Sequence, residues 1–297
     1  MPFPSDEQDA SGGGILTPAA LRGWPLPQGA ESKYGRGDVV IVGGARRSPG
    51  AVLLAGTAAL RAGAGRLTLA VAESVAVGLG VAVPESGVVA LAETPSGAVR
   101  GTALGALADD LRGADAVLLG SGLDDADETL GLLVDLPARL GERTSVLLDA
   151  FALGVLPRLD GSFQIGGALV LTPNAGEAAR LLGRELNDIG DDLSRIADTY
   201  GATVTCRGVI AAPGSARWLV GTGQGGLGTS GSGDVLAGTI TGLLARGATG
   251  EQAACWGTYL HAAAGDRLNA RIGPTGYLAR ELVDELPALL AELGQQV

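Results

Sequence analysis

The chain has 297 residues, 46% of them hydrophobic, and a formal net charge of −11. That length accommodates one large α/β domain, and the acidic balance lacks the basic footprint that gripping a nucleic acid requires. A single histidine and two cysteines far apart in sequence argue against a Cys/His zinc site and a histidine-based triad.

In chain order, residues 1–14 are polar and glycine-rich and read as a flexible terminus. Residues 15–297 read as a single domain. Short apolar runs then recur at Val39–Val42, Leu67–Val71, Val88–Leu91, Ala116–Leu119, Val146–Leu148, Leu169–Leu171 and Ala202–Val204. Most lack clean alternation, as expected of strands covered on both faces. Helical patterns fall between them, at Ala51–Arg61, Thr102–Leu111, Glu128–Leu140, Gly176–Leu182 and Leu193–Tyr200, with Pro137 disturbing the third. Alternating β and α units predict a doubly wound, mainly parallel sheet with helices on both faces.

After Cys206 the pattern changes. Gly208–Ala212 and Arg217–Val220 flank Pro213-Gly214-Ser215 and predict an antiparallel hairpin. Three helices close the chain, over Val235–Arg246, Glu251–Leu268 and Tyr277–Leu293. The apolar stretch Val75–Val83 is too short to span a bilayer, and no basic-then-apolar leader precedes it. The expectation is a cytoplasmic protein with no membrane contact. No strong exposed apolar stripe marks an interface, although a homo-oligomer is expected.

Fifty glycines are more than double the roughly 7% of an average protein. They cluster most densely in Gly221–Asp234, a loop that follows a strand-like run and leads straight into a helix. Glycines let successive amides curl toward one anion, and the helix dipole adds positive potential there. Asp234, in the first turn beyond, stands where a carboxylate takes the proton of an attacking hydroxyl. The plainer alternative is that Ser232 or Asp234 only caps the helix. No Gly-Lys-Ser/Thr follows, so this is not a P-loop, and Val39-Val-Ile-Val-Gly-Gly-Ala45 lacks the third glycine of a dinucleotide fingerprint.

Gly231-Ser-Gly-Asp-Val-Leu-Ala-Gly238 resembles the signature of the ribokinase-like superfamily, whose aspartate is the catalytic base. More closely, the chain resembles the ADP/ATP-dependent NAD(P)H-hydrate dehydratases. Val42-Gly-Gly-Ala-Arg-Arg-Ser-Pro-Gly-Ala51 and the segment from Leu53 to Gly65 are similar to that family's first βα unit. Leu119-Gly-Ser-Gly122 is like its Gly-Pro-Gly turn, and Leu171-Thr-Pro-Asn-Ala-Gly-Glu177 like its Thr-Pro-His-x-Gly-Glu. His261-Ala-Ala-Ala-Gly-Asp266 is like part of its penultimate helix. The resemblance runs from about Lys33 to the C-terminus.

It implies a ribokinase-like fold and a carbon–oxygen lyase of metabolite repair. NADHX or NADPHX, hydrated on the nicotinamide ring, would be phosphorylated on its hydroxyl by ADP or ATP and then lose phosphate. By position, Asp234 would be the base. Ala51, Gly122, Asn174 and Asp234 would line the dinucleotide. Arg207, Gly208, Val209, Ile210, Ala211, Ser232 and Gly233 would meet the nucleotide. Lys33, Asp149 and Glu177 are accessory candidates, with Mg²⁺ held through water at Glu177 and no direct protein ligation.

Three residues depart from that family's pattern. Asn174 stands for His, Arg207 for Lys, and Phe151 for the second acid of an Asp-Ala-Asp-Ala-Leu run. Two other functions therefore stay open. One is a ribokinase-like kinase for a vitamin-precursor alcohol; the other is a non-catalytic nucleotide-binding sensor. Several residues carry bland readings beside the functional ones. Asp149 is either a site residue or a helix cap, and Glu177 either a site residue or a dipole partner. Arg46 and Arg47 either meet substrate phosphates or are solvated. His261 reads as a packing histidine, Cys206 as a buried free thiol, and Asp266 as facing solvent or a neighbouring helix.

Overall fold

The computed structural model describes residues 13–27, 32–159, 163–214, 216–223 and 225–294. Strand β1 (Gly14–Leu16) and helix α1 (Pro18–Gly23, capped by Thr17) come first. Then β2 (Asp38–Val42), α2 (Pro49–Arg61), β3 (Arg66–Ala72), α3 (Glu73–Ala82) and β4 (Gly87–Leu91) alternate. A 3₁₀ segment leads into α4 (Ala108–Gly113), followed by β5 (Ala116–Leu119) and α5 (Ala126–Asp135). Next come β6 (Ser145–Leu148), α6 (Phe151–Val155), β7 (Leu169–Leu171), α7 (Ala175–Leu182) and α8 (Ile189–Tyr200). Strands β8 (Thr203–Cys206), β9 (Val209–Ala211) and β10 (Arg217–Val220) precede α9 (Ser232–Ala245), α10 (Gly250–Arg271) and α11 (Ala279–Gly294).

The strands form one sheet in the order β1-β10-β9-β8-β7-β6-β5-β2-β3-β4. Only the β8–β9 and β9–β10 pairs are antiparallel. This is the doubly wound, mainly parallel sheet that the alternating units predict. Strand β2 shows how both faces are covered. Val39 and Ile41 belong to one apolar layer with Val235, Ile240 and Trp256, and Val40 and Val42 to the other with Leu104, Leu132 and Leu153. Successive side chains of a strand point to opposite faces, so an unbroken apolar run is what two covered faces need.

Four features differ from the sequence expectations. The sheet begins at Gly14, the last residue of the expected flexible terminus, with Gly14–Leu16 paired to Trp218–Val220; residues 1–12 lie outside the described residues. Three residues are too short to show a period, so β1 leaves no signature. Second, Arg207 and Gly208 (φ 51° and 77°) join β8 to β9 as a two-residue hairpin turn with both residues left-handed. The expected hairpin, β9–β10, is therefore the second of two. Third, Val75–Val83 builds most of α3, which leaves Val77 and Val81 82% and 78% exposed beside the edge strand β4. That apolar face was not apparent in the sequence. Fourth, the predicted helix over Glu128–Leu140 is α5 only to Asp135, because Pro137 ends it in a 3₁₀ turn.

Both cysteines are buried and unpaired, Cys206 at the end of β8 and Cys255 within α10. Burial raises the Cys206 thiol to about 11 and Cys255 well above its ordinary range. Among the described residues no helix is long and apolar enough to cross a membrane.

Candidate active site

From β2 the chain proceeds outward to β3 and β4, then returns to place β5 on the other side of β2. The connections beyond β2 and β5 thus diverge at their carboxyl ends, which opens a crevice where such sheets bind ligands. Gly43, Gly44 and the turn Gly120-Ser121-Gly122 line it. The Gly44 amide donates to the Ser121 carbonyl (3.0 Å), and the Ala45 amide to that of Gly122 (2.8 Å). Gly120 and Gly122 have φ of 132° and 72°. A Cβ on Gly120 would lie 1.9 Å from the Asp149 carbonyl oxygen, so only glycine fits there. Ala51 reaches the same crevice, since a Cβ on Gly122 would meet the Ala51 methyl at 3.0 Å.

Helix α9 lies over this end of the sheet and points its amino terminus at the crevice. Its N-cap is Gly231 (φ 88°), and no side chain caps it. That removes the plainer reading of the loop. Ser232 Oγ is instead 2.8 Å from Nε2 of buried His261, as a satisfied packing histidine requires. Burial lowers the His261 imidazole to about 4, so it is neutral. The Asp234 carboxylate is half-buried, and burial raises its pKa.

Asp149 follows β6 and is only 5% exposed. It does not cap α6, whose N-cap Ala150 has φ 48° and ψ −115°. Its carboxylate accepts from Thr172 Oγ1 (2.8 Å) and Ser121 Oγ (3.2 Å). Burial, then the Asp234 charge, raises it to about 7. Ser121 and Thr172 were not singled out from sequence. The position of Ser121 at the turn after β5 was the available signal.

On the other side of α9's start lies a cavity of about 770 Å³. Thr172, Asn174, Arg207, Gly208, Ser232 and Gly233 are on its wall. A Cβ on Gly233 would meet nothing within 4 Å, so that residue faces open space. Other loop glycines serve packing instead: Gly226 (φ 77°) abuts the Tyr277 ring, which a Cβ would approach to 2.4 Å. Gln224 lies outside the described residues. Asp266 does not simply face solvent. It accepts from Thr222 Oγ1 and from the Gly223 amide (2.8 Å), and so fastens the loop to α10.

Asn174 and Glu177 form a capping box on α7. The Glu177 amide donates to Asn174 Oδ1 (3.0 Å), and the Asn174 amide to Glu177 Oε2 (2.9 Å). Burial raises the Glu177 pKa. Val209, Ile210 and Ala211 are buried in β9 behind the Arg207–Gly208 turn. Phe151 packs partly against the core and lines a separate cavity of about 400 Å³ with Glu177 and Arg180. Two expected residues are not brought here. Arg46 is tied to Glu93, Ser74 Oγ (3.3 Å) and the Pro95 carbonyl (3.2 Å). Lys33 lies at the opposite end of the sheet, against Gly65 at the start of β3.

Among the described residues no group of three or more His, Cys, Asp or Glu side chains could hold a metal ion. Mg²⁺ needs only one or two carboxylates when nucleotide phosphates supply the rest. Glu177, expected to hold Mg²⁺ through water, lines the Phe151 cavity and accepts from the Asn174 amide through Oε2.

The family described as NAD(P)H-hydrate dehydratase matches residues 39–288. An ADP-dependent (S)-NAD(P)H-hydrate dehydratase of Xanthomonas campestris is 43% identical over 94% of this chain and 96% of its own. A bifunctional NAD(P)H-hydrate repair enzyme of Moorella thermoacetica is 39% identical over 95% of this chain, which spans 55% of that longer protein. The crystal structure of an ADP/ATP-dependent NAD(P)H-hydrate dehydratase from Bacillus subtilis, co-crystallised with ATP and Mg²⁺, superposes with a TM-score of 0.80. The two chains are 26% identical, with 96% of this one and all of the other covered.

Proposed function

Because the chain belongs to the NAD(P)H-hydrate dehydratase family, we propose that it dehydrates NADHX and NADPHX at the expense of ADP and so restores NADH and NADPH. The observation that carries the reading is the position of Asp234. Its carboxylate sits at the uncapped amino end of α9, with the β2/β5 crevice on one side and the large cavity on the other. The hydrated dinucleotide occupies the crevice, against Ala51 and Gly122. The nucleotide occupies the cavity, against Arg207, Gly208, Ser232 and Gly233.

Water is a poor leaving group and phosphate a good one, so phosphorylation is what makes the elimination feasible. The α9 amides, which have no intrahelical acceptor, stabilise the charge on the moving phosphoryl group. Asp234 takes the proton of the ring hydroxyl as that oxygen attacks phosphorus. Partial burial holds the carboxylate out of bulk water and makes it more basic. Arg207 brings positive charge to the nucleotide phosphates, with a forked donor in place of an ammonium. Mg²⁺ arriving with the nucleotide would be held mainly by phosphate oxygens and water, and would neutralise phosphate charge.

The reading is that of a cytoplasmic enzyme. The exposed Val77 and Val81 beside edge strand β4 supply a face for a homo-oligomer. The test is incubation with hydrated NADH and ADP. Recovery of reduced-nicotinamide absorbance with release of AMP is expected. No recovery, alongside ATP-dependent phosphorylation of a thiazole or pyrimidine alcohol, would establish the kinase alternative instead.

A further inference from the structure

The hydrated dinucleotide has two halves, and the crevice accounts for one. With the nicotinamide ring beside Asp234 and ADP in the cavity of about 770 Å³, the adenosine half needs a place of its own at this end of the sheet. The cavity of about 400 Å³ that Phe151 lines is there. That volume falls within the range of small-molecule pockets, which starts at about 300 Å³.

Three connections build it. Leu123 follows the crevice turn, and its amide closes that turn on the Gly120 carbonyl (3.0 Å). Ala150 follows Asp149, whose carbonyl lies against Gly120. Glu177 and Arg180 stand on α7. Crevice and cavity thus share the wall made where β5 and β6 end. Small residues leave the room: a Cβ on Gly154 would meet only Arg180 Nη1 within 4 Å, at 4.0 Å, so that position opens into space.

Phe151 is half-buried and packs partly against the core, which leaves ring surface for the cavity. Ala150 turns β6 into α6 through φ 48° and ψ −115°, a conformation that a Cβ disfavours. Strained backbone of this kind concentrates at ligand sites. An aromatic ring in an apolar recess suits a flat heteroaromatic base, by offset stacking. Arg180 is exposed, and its guanidinium has no hydrogen bond or ion pair among the described residues, so its charge is available to phosphate. Glu177 keeps Oε1 as an acceptor for ribose hydroxyls, since the Asn174 amide occupies Oε2.

We propose that this cavity binds the adenosine half of the hydrated dinucleotide, with the adenine ring stacked on Phe151. The inference rests on the dehydratase reading. It gives a role to the departure at position 151, because a carboxylate offers no face to a base and phenylalanine does. Other cavities suit a dinucleotide less well. One of about 510 Å³ lies with Lys33 at the opposite end of the sheet, and one of about 650 Å³ is lined by Asp127, Glu128 and Asp135 without an aromatic ring.

Steady-state dehydration of hydrated NADH and of hydrated reduced nicotinamide mononucleotide, which lacks the adenosine half, tests the subsite at saturating ADP. The quantity read is the ratio of kcat/KM on the first substrate to kcat/KM on the second. Phe151→Leu keeps apolar bulk and removes the ring, and the ratio should fall about tenfold, the scale of one lost base stack. Phe151→Tyr keeps the ring and should hold the ratio within about threefold of wild type. Gly154→Leu fills the cavity from a helical position that faces open space, so it tests the subsite even where Phe151→Leu folds poorly; the ratio should again fall by at least about tenfold. A purely structural role would move both substrates alike. An unchanged ratio in Phe151→Leu or in Gly154→Leu overturns the proposal, and so does a fall in Phe151→Leu that Phe151→Tyr shares. If the wild-type chain dehydrates neither substrate, the dehydratase reading falls and the subsite with it; wild-type turnover with an unchanged ratio in the variants defeats the subsite alone.

Discussion

A Cβ on Gly238 would stand 2.0 Å from the carbonyl oxygen of Ala55, and one turn later a Cβ on Gly242 would stand 2.5 Å from that of Ala59. Helices α9 and α2 therefore meet backbone to backbone. That contact sets how far the amino end of α9, with Asp234, projects over the sheet. Gly238→Ala forces the helices apart and is expected to lower unfolding stability by about 1–3 kcal/mol. Denaturant unfolding measures it, and ADP affinity should fall in the same variant. An unchanged midpoint would mean that the two helices slide without cost.

Asp234→Asn keeps the shape of the side chain and removes the base. Turnover should drop by at least about 100-fold while ADP binding stays within about threefold. Calorimetric titration with ADP and an NADH-formation assay measure the two quantities. Turnover at the wild-type rate would refute the assignment.

Arg207 occupies a left-handed position (φ 51°) that glycine adopts freely. Arg207→Gly thus preserves the hairpin turn and deletes the charge. ADP affinity should weaken about tenfold, as expected for the loss of a charged hydrogen bond of about 1.5 kcal/mol. The salt dependence of ADP binding should flatten in parallel.

Burial raises Asp149 to about 7 in the fold, from an ordinary value near 3.8. The folded state then binds more protons than the unfolded chain between those values, so this residue makes stability fall as pH rises through that window. Above about 7 the cost is constant. Asp149→Asn cannot ionise, and its melting temperature relative to wild type should climb from pH 4 to pH 7 and level off beyond. A difference independent of pH would show that Asp149 is ionised throughout.

Ala150 sits at φ 48° and ψ −115°, which a Cβ disfavours. Ala150→Gly should relieve that strain. After the entropy glycine adds to the unfolded chain, a net gain of about 1 kcal/mol is expected. A loss in urea unfolding would mean that the surrounding contacts, not the backbone, set the conformation.

What the sequence disclosed followed the strength of each local signal. Buried parallel strands such as Val39–Val42 and Ala116–Leu119 are legible because both their faces are apolar. The start of α9 is legible because glycines crowd before an aspartate. Strand β1 is not, since its three residues gain meaning only through pairing with Trp218–Val220. The β8–β9 turn is masked by Arg207, which occupies a place where glycine or asparagine is usual. Asp149 and Asp266 were visible as acids, but their partners were not. Ser121 and Thr172 lie tens of residues from Asp149, and Thr222 a similar distance from Asp266. The sheet order brings the first two pairs together, and the packing of α10 against the loop after β10 brings the third.

The two cysteines, inert in the folded protein, give it a built-in reporter. A maleimide added to the native enzyme should find neither sulfur, so the rate of labelling measures how often the molecule opens. Cys206 ends β8 on the wall of the 770 Å³ cavity, while Cys255 lies deep in α10. Mass spectrometry of the two labelled peptides would separate breathing of the binding edge from opening of the whole core, with no engineered probe.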